Sequence, residues 1–309
     1  MNLNQSIIVD LLGQLEQGRF KEVVAETERL IAQFPDMAGL HEVCGMAYAR
    51  AGDFDAAEKA FRRAIKLMPK LTSARFNLGT LLVRQQKWRQ ATDCLQELLR
   101  LQPDNAVARC QLGIALFRRQ RLEPAKACFE RVVTDAPRTV DAHFHLGLIA
   151  RKNGQTAAAL DHFGDVLAHR SDHFEALFNL GNINRDGQKP DQARIWFEKA
   201  LEVRPRHVNT MINLANVEML RHDMPAALAW LDRALEIEPS NVNAACSKSL
   251  PYFMMGDRKN GFSAAELRFE KGDPVMRLYT GRRLNGTGTR FAGTTFLLSM
   301  PSRGWETAS

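Results

Sequence analysis

The sequence has no hydrophobic run of the roughly 18 residues that a membrane helix needs. Its first 20 residues also lack the basic segment and long apolar core of a secretory signal. Only five cysteines occur in 309 residues, and no two of them lie two or three residues apart. This spacing excludes the usual zinc and redox patterns, and the odd number argues against a disulfide framework. The sequence therefore predicts a cytoplasmic location and no membrane insertion.

A concentrated basic surface is also lacking, although the formal net charge is +7. Residues 274–309 hold five arginines and one glutamate, a net charge of +4, which leaves +3 for the first 273 residues. A nucleic-acid-binding domain would gather lysine and arginine on one face, with aromatic residues between them. No such pattern occurs, so nucleic acid is excluded as a predicted partner.

Proline, in contrast, recurs with a fixed period of 34 residues. Only Ser171 interrupts the series, whose members are Pro35, Pro69, Pro103, Pro137, Pro205 and Pro239. A constant period of this length indicates stacked copies of one supersecondary unit.

Three further columns keep the same period. They are Gly45, Gly79, Gly113, Gly147 and Gly181; Ala57, Ala91, Ala125, Ala159, Ala193 and Ala227; and Phe61, Leu95, Phe129, Phe163, Phe197 and Leu231. Small residues let two helices approach closely, while a large side chain fills the adjoining gap. Apolar residues also recur at three- and four-residue steps on either side of a short polar break, which predicts two helices per unit.

These columns resemble the tetratricopeptide repeat family. Six units match well, at 38–71, 72–105, 106–139, 140–173, 174–207 and 208–241. Degenerate units are assigned to residues 1–37 and 242–275, because terminal repeats face water on one side. The resemblance implies an all-α fold, a right-handed superhelical solenoid of antiparallel helix pairs, with a short irregular or strand-like tail at 276–309.

In this family the first helices of the pairs line the concave surface, where ligand specificity is expected. The predicted groove residues are Asn77, Gln111, His145, Asn179, Asn182, Asn213 and Asn216. An amide offers a donor and an acceptor, so a ladder of amides can pair with the backbone of an extended peptide. The ladder resembles that of the O-linked N-acetylglucosamine transferase superhelix. The alternative is a row of polar groups that water alone solvates.

Cationic side chains share a column at the ends of the first helices, namely Arg50, Arg84, Arg118 and Lys152. They could form an anion-binding edge, but we prefer the interpretation that they stabilise helix C-termini. Histidines also cluster between residues 143 and 173, yet His143 and His145 are two apart and point to different faces of a helix. No metal site, cofactor or catalytic residue is therefore predicted.

After Pro239 the sequence resembles bacterial proteins in which such repeats precede a glycosyltransferase. The matching residues are Gly256-Asp257, Gly261-Phe262, Glu266, Arg268, Asn285-Gly286 and the run AGTTFLL at 292–298. Those proteins continue with a loop near HAEQGLGD, whereas this chain ends in SMPSRGWETAS. The segment SMPSRG is also weakly similar to the phosphate loop MPRSG of sulfotransferases.

The genetic code offers an explanation for this ending. Residues Leu298–Ser309 can be encoded by a DNA sequence that also has a meaningful second reading frame. Translated from its third base, that sequence gives QHAEQGLGDSI, which contains the missing loop. We therefore expect the chain to be the repeat half of a repeat-plus-glycosyltransferase protein, cut short by a natural or sequencing frameshift. The expectation predicts about 250 or more residues of α/β sequence in the other frame. Stop codons in both frames soon after Ser309 would contradict it.

The predicted function is thus a binding scaffold for a protein or extended peptide, without a catalytic domain of its own. One alternative is a free-standing adaptor in cell-envelope or motility assembly. Another is a repeat-linked glycosyl- or sulfotransferase, although about 36 residues after the repeats are too few to build a nucleotide-binding fold. The apolar run TTFLL also predicts possible self-association through the tail.

Overall fold

The computed structural model describes residues 3–270, and every regular element within that range is an α-helix. A first compact unit, ending at Pro239, contains α1 (Leu3–Glu16), α2 (Phe20–Gln33), α3 (Ala38–Ala51), α4 (Phe54–Leu67), α5 (Thr72–Arg84), α6 (Trp88–Leu101), α7 (Ala106–Arg118), α8 (Leu122–Asp135), α9 (Val140–Lys152), α10 (Thr156–His169), α11 (Phe174–Asp186), α12 (Pro190–Val203), α13 (Val208–Leu220) and α14 (Met224–Ile237). A second unit contains α15 (Val242–Ser247), α16 (Ser249–Met254) and α17 (Arg258–Glu270). The predicted all-α fold is confirmed, while the predicted tail at 276–309 lies outside the described residues.

The first unit is a solenoid of antiparallel helix pairs. Each odd-numbered helix packs against the even-numbered helix that follows, and that helix packs against the next pair. One pair falls within each predicted unit from residue 1 to 241. No described helix is long and apolar enough to cross a membrane.

The two helices of a pair meet where a glycine faces a large apolar side chain. A Cβ atom placed on Gly113 would lie 2.7 Å from the Phe129 ring, and one on Gly181 would lie 2.5 Å from the Phe197 ring. Both distances are shorter than any van der Waals contact, and both rings are fully buried. The predicted roles of the two columns are therefore confirmed: glycine permits the close approach and the ring fills the space beside it.

The turn within each pair contains one residue with left-handed backbone, again at 34-residue spacing. Glycine occupies half of these positions, at Gly18, Gly52, Gly154 and Gly256. The other half hold residues with a Cβ atom, Gln86, Gln120, Gln188 and His222, with φ between 53° and 60°. Left-handed backbone costs such residues roughly 1–2 kcal/mol, so these four turns are strained relative to the glycine turns.

Replacing Gln86 with glycine is therefore expected to raise the free energy of unfolding by about 0.5–1 kcal/mol. The gain is smaller than the strain, because glycine loses more backbone freedom on folding. Urea denaturation followed by helical circular dichroism measures the change. The matched control is the reverse substitution Gly52→Gln, which should lower stability by a similar amount, and a neutral or destabilising Gln86→Gly would contradict the argument.

In the second unit the position of a first helix is taken by two short helices, α15 and α16, which meet at Lys248. Pro251 explains the break, because it has no N–H to donate to the carbonyl one turn earlier and its ring crowds that carbonyl. At the same break, the Ser249 hydroxyl donates to the Cys246 carbonyl at 2.7 Å. The degenerate repeat predicted at 242–275 thus has an interrupted helix within its described part.

Successive first helices of the solenoid lie closer together than successive second helices. Contacts join α1 to α3, α3 to α5, α5 to α7, α7 to α9 and α11 to α13, whereas within the described range no comparable contact joins two consecutive even-numbered helices. In a curved stack the elements on the inner side are the closer ones. The odd-numbered helices therefore lie on the concave side.

Candidate peptide-binding groove

All seven residues predicted for the groove lie on these concave helices. Asn77 is on α5, Gln111 on α7, His145 on α9, Asn179 and Asn182 on α11, and Asn213 and Asn216 on α13. Asn179 and Asn182 are buried, with exposures of 8% and 6%, while the other five are half-buried. The series therefore follows the concave side but is not equally accessible along its length.

Two arginines that sequence reasoning missed bind the acceptor oxygens of this series. Arg151 Nη1 donates to Asn179 Oδ1, and one repeat later Arg185 Nη1 donates to Asn213 Oδ1 at 2.7 Å. Each bond joins one first helix to the next. The common spacing of 34 residues was a visible signal, but the other members of the arginine column are uncharged. They are Ala49, Val83, Phe117 and Met219.

The nitrogen atoms of the same two asparagines are also engaged within the chain. Asn179 Nδ2 donates to the Glu175 carbonyl at 2.6 Å, and Asn213 Nδ2 donates to Asn182 Oδ1 at 3.2 Å. Each of these amides thus has a bond at its oxygen and another at its nitrogen. Between α9 and α13 the polar series is a closed inter-repeat network, and the group it leaves exposed is the Arg151 guanidinium.

The amides of Asn77, Gln111 and Asn216, in contrast, make no side-chain hydrogen bond within the described part of the chain. None of their polar atoms is among the buried atoms that lack a partner. These atoms are therefore open to solvent. Asn77, Gln111 and Asn216 are the members of the predicted ladder whose donors and acceptors a ligand can reach without breaking a bond in the protein.

His145 lies among aromatic rings rather than in an open groove. Its ring stacks on Phe129 at a centroid distance of 5.0 Å and meets Phe117 and Phe144 edge-on at 5.4 and 5.5 Å. Nδ1 is 2.8 Å from the Asp141 carbonyl, to which it donates. Burial lowers the pKa of His145, so the imidazole is neutral at neutral pH. The residue thus occupies the predicted column mainly as a packing group.

Two members of the cationic column contact aromatic rings of the preceding repeat. The Arg84 guanidinium lies 4.6 Å from the centre of the Phe54 ring, and that of Arg118 lies 5.9 Å from the Trp88 ring. Both pairs join the end of a first helix to the start of the preceding second helix. A cation over an aromatic face contributes about 0.5–1 kcal/mol at exposed sites, so these cations stabilise the stack of repeats.

The cysteines show no sign of reactivity. All five are free thiols. Burial raises the pKa of Cys94 to about 11 and that of Cys110 to about 12, so both are protonated at neutral pH. Because only the thiolate is a strong nucleophile, Cys94 and Cys110 act as packing residues rather than as reactive thiols.

Comparison with protein families finds tetratricopeptide repeat models along most of the first unit. One model matches residues 48–108, and a second matches 12–71, 110–163, 148–206 and 197–242. Together these matches span more than half of the chain. No curated protein matches it in sequence.

Several solved structures have a similar fold, and three of them are compared with this chain as follows. A chain of the APC/C hetero-tetramer Cut9–Hcn1 is 17% identical, with a TM-score of 0.59 over 79% of this chain and 48% of its own. YrrB, described as a TPR protein with an unusual peptide-binding site, is 19% identical, with a TM-score of 0.52 over 60% of this chain and 95% of its own. PilW, described as a type IV pilus biogenesis factor, is 18% identical, with a TM-score of 0.59 over 67% of this chain and 96% of its own. The chain thus spans about half the length of the Cut9–Hcn1 match, and at these identities the similarity establishes the fold alone.

Proposed function

This chain belongs to the tetratricopeptide repeat family, and from that premise we propose that it binds a protein or an extended peptide along the concave side of its solenoid. The observation that carries the proposal is the row of open amides on the concave helices, formed by Asn77, Gln111 and Asn216. Each amide can donate to a peptide carbonyl and accept from a peptide N–H. The exposed Arg151 guanidinium adds donors between them.

The two sets of polar residues are assigned different roles in this proposal. The open amides contact the ligand, whereas Asn179 and Asn213 fix the spacing of the helices through Arg151 and Arg185. Contacts with the peptide backbone alone would make the groove tolerant of ligand sequence. The half-buried side chains of Ile114 and Phe117 on α7 supply apolar contacts, since both pack on the edge of the core beside Gln111.

A peptide-display selection against the full chain, followed by fluorescence anisotropy with a selected peptide, tests this function. Replacing Asn77, Gln111 and Asn216 with alanine together is expected to weaken binding at least about tenfold, because each lost hydrogen bond is worth about 0.5–1.5 kcal/mol. The matched control is Gln96→Ala, which removes an exposed amide from the second helix α6. Equal affinity of the triple variant and the control would refute a role for the amides.

We further propose that this groove is the substrate-recognition part of a repeat-containing glycosyltransferase. The support is the resemblance of residues 256–268 and 285–298 to the segment that joins such repeats to a transferase. The second of these ranges lies entirely outside the described residues. The reading-frame test given for residues 298–309 decides this point. If both frames stop, the proposed function becomes that of a free-standing adaptor for envelope or motility assembly. PilW, a type IV pilus biogenesis factor, has a similar fold.

A further inference from the structure

Three side chains of one repeat place metal-ligating atoms close together. His143 lies on α9, and His162 and Asp165 lie one turn apart on α10. One ligand atom from each residue lies within 4.8 Å of the others, and His143 Nδ1 is 3.2 Å from Asp165 Oδ2. Sequence reasoning rejected a metal site by comparing His143 with His145, whereas the structure pairs His143 with residues of the neighbouring helix.

A backbone contact fixes which nitrogen of His143 carries the proton. Nε2 is 2.8 Å from the Pro137 carbonyl, which can only accept, so Nε2 is the donor. Arg75 and Arg109 occupy the position of His143 in two earlier repeats. Their side chains make the same contact, because they donate to the carbonyls of Pro69 and Pro103. In the neutral ring, the lone pair is therefore on Nδ1, which faces the cluster. A backbone acceptor on the second nitrogen is the usual support of a metal-binding histidine.

The cluster also contains polar atoms that the protein leaves unsatisfied. Nδ1 of His143 and Nδ1 of His162 are both buried and have no hydrogen-bond partner, and His143 as a residue is only 8% exposed. A buried polar atom without a partner costs about 1–3 kcal/mol. Two such atoms within one small cluster indicate that something outside the chain satisfies them.

An ion pair between protonated His143 and Asp165 does not account for this arrangement. Although the two atoms are 3.2 Å apart, the contact lacks the direction of a hydrogen bond. It would also leave His162 Nδ1 without a partner.

We propose that His143, His162 and Asp165 bind a first-row divalent transition metal, with Zn²⁺ as the reference ion. Two imidazoles and one carboxylate are a known ligand set for such ions, and three protein ligands leave a fourth position for water or a partner's side chain. Ligand atoms around tetrahedral Zn²⁺ lie roughly 3.3–3.5 Å apart for bonds of about 2.0–2.2 Å. The His143–Asp165 distance already matches, and the exposed Asp165 and half-exposed His162 can close the remaining gap by side-chain rotation.

Only one repeat carries this set of residues. The His162 column holds Ala60, Cys94, Cys128, Trp196 and Trp230, and the Asp165 column holds Arg63, Glu97, Arg131, Lys199 and Arg233. A bound metal would therefore link α9 to α10 at a single level of the solenoid and raise the stability of that repeat.

Calorimetric titration of the full chain with ZnCl₂ tests the site, together with the visible absorption of bound Co²⁺. We expect one ion per chain, a rise in melting temperature with Zn²⁺, and tetrahedral Co²⁺ bands without thiolate charge transfer. His143→Arg should keep the contact with the Pro137 carbonyl, because Arg109 makes the equivalent contact in its own repeat. It should weaken Zn²⁺ binding by more than about 100-fold, since losing even a group that only hydrogen-bonds a metal ligand costs about 10- to 100-fold. His162→Ala should act similarly, while Asp165→Asn should cost about tenfold or more.

The control is His169→Gln, which removes an exposed histidine from the end of the same helix. Its affinity for Zn²⁺ should equal that of the wild type. Absence of a one-to-one site in the wild type overturns the proposal. The proposal is also overturned if His143→Arg and His162→Ala both bind Zn²⁺ as tightly as the wild type and both have native circular dichroism.

Discussion

Replacing Phe197 with alanine is expected to lower the free energy of unfolding by about 3–5 kcal/mol, the usual cost of deleting a buried aromatic side chain. Phe197 is fully buried between α11 and α12, lies against Gly181 and meets the Phe178 ring edge-on at a centroid distance of 5.8 Å. Its removal leaves a cavity in the middle of one repeat. Urea denaturation followed by circular dichroism measures the loss, and hydrogen exchange should show it first in α11 and α12.

A second substitution, Gly181→Ala, tests whether the glycine and the ring form one packing unit. Its effect on the free energy of unfolding should have opposite signs in the wild type and in Phe197→Ala. In the wild type, Gly181→Ala should destabilise, because the new Cβ would lie 2.5 Å from the ring of Phe197. In the Phe197→Ala background the clash is gone, and the same substitution should stabilise by up to about 1 kcal/mol through helix propensity. The natural Ala215–Leu231 pair in the next repeat shows that an alanine fits beside a smaller partner. The same sign in both backgrounds would contradict the idea.

The packing of the solenoid is predictable from sequence because it repeats. The glycine column and the aromatic column each recur with a constant period, and every copy makes the same contact. Helix pairs and their close approach could therefore be predicted without coordinates. The break at Lys248 follows from Pro251, although the sequence pattern had predicted only a degenerate repeat at 242–275 and no position for a break.

The candidate sites were less predictable because they depend on pairs that do not repeat. Arg151 meets Asn179 across 28 residues, and only the next repeat copies that pair. His143 meets His162 and Asp165 in one repeat alone. Periodicity indicates which helix faces its neighbour, but not which polar atoms meet or which amides already have partners. For that reason the predicted amide ladder falls into two groups in the structure. The amides of Asn77, Gln111 and Asn216 are open to solvent, whereas those of Asn179 and Asn213 are hydrogen-bonded within the protein.

Replacing Arg221 with alanine is expected to lower the free energy of unfolding by about 3 kcal/mol or more, because it leaves a buried carboxylate without its closest cation. Glu218, near the end of α13, is 1% exposed, and its carboxylate is 2.8 Å from Arg221 Nη1. Arg194 on α12 is the other nearby cation, at 3.6 Å. At that distance it makes no hydrogen bond to the carboxylate, so it compensates the charge only in part.

A double-mutant cycle distinguishes charge burial from loss of the arginine side chain. Adding Glu218→Gln to Arg221→Ala should recover part of the stability, because the neutral amide needs no counter-ion. Asp191→Asn is the matched control, since Asp191 also binds Arg221, at 3.0 Å, but its side chain is 81% exposed. That variant should cost less than about 1 kcal/mol. If Arg221→Ala were equally mild, Arg194 alone would suffice to compensate Glu218, and the junction between α12 and α13 would not depend on the closer pair.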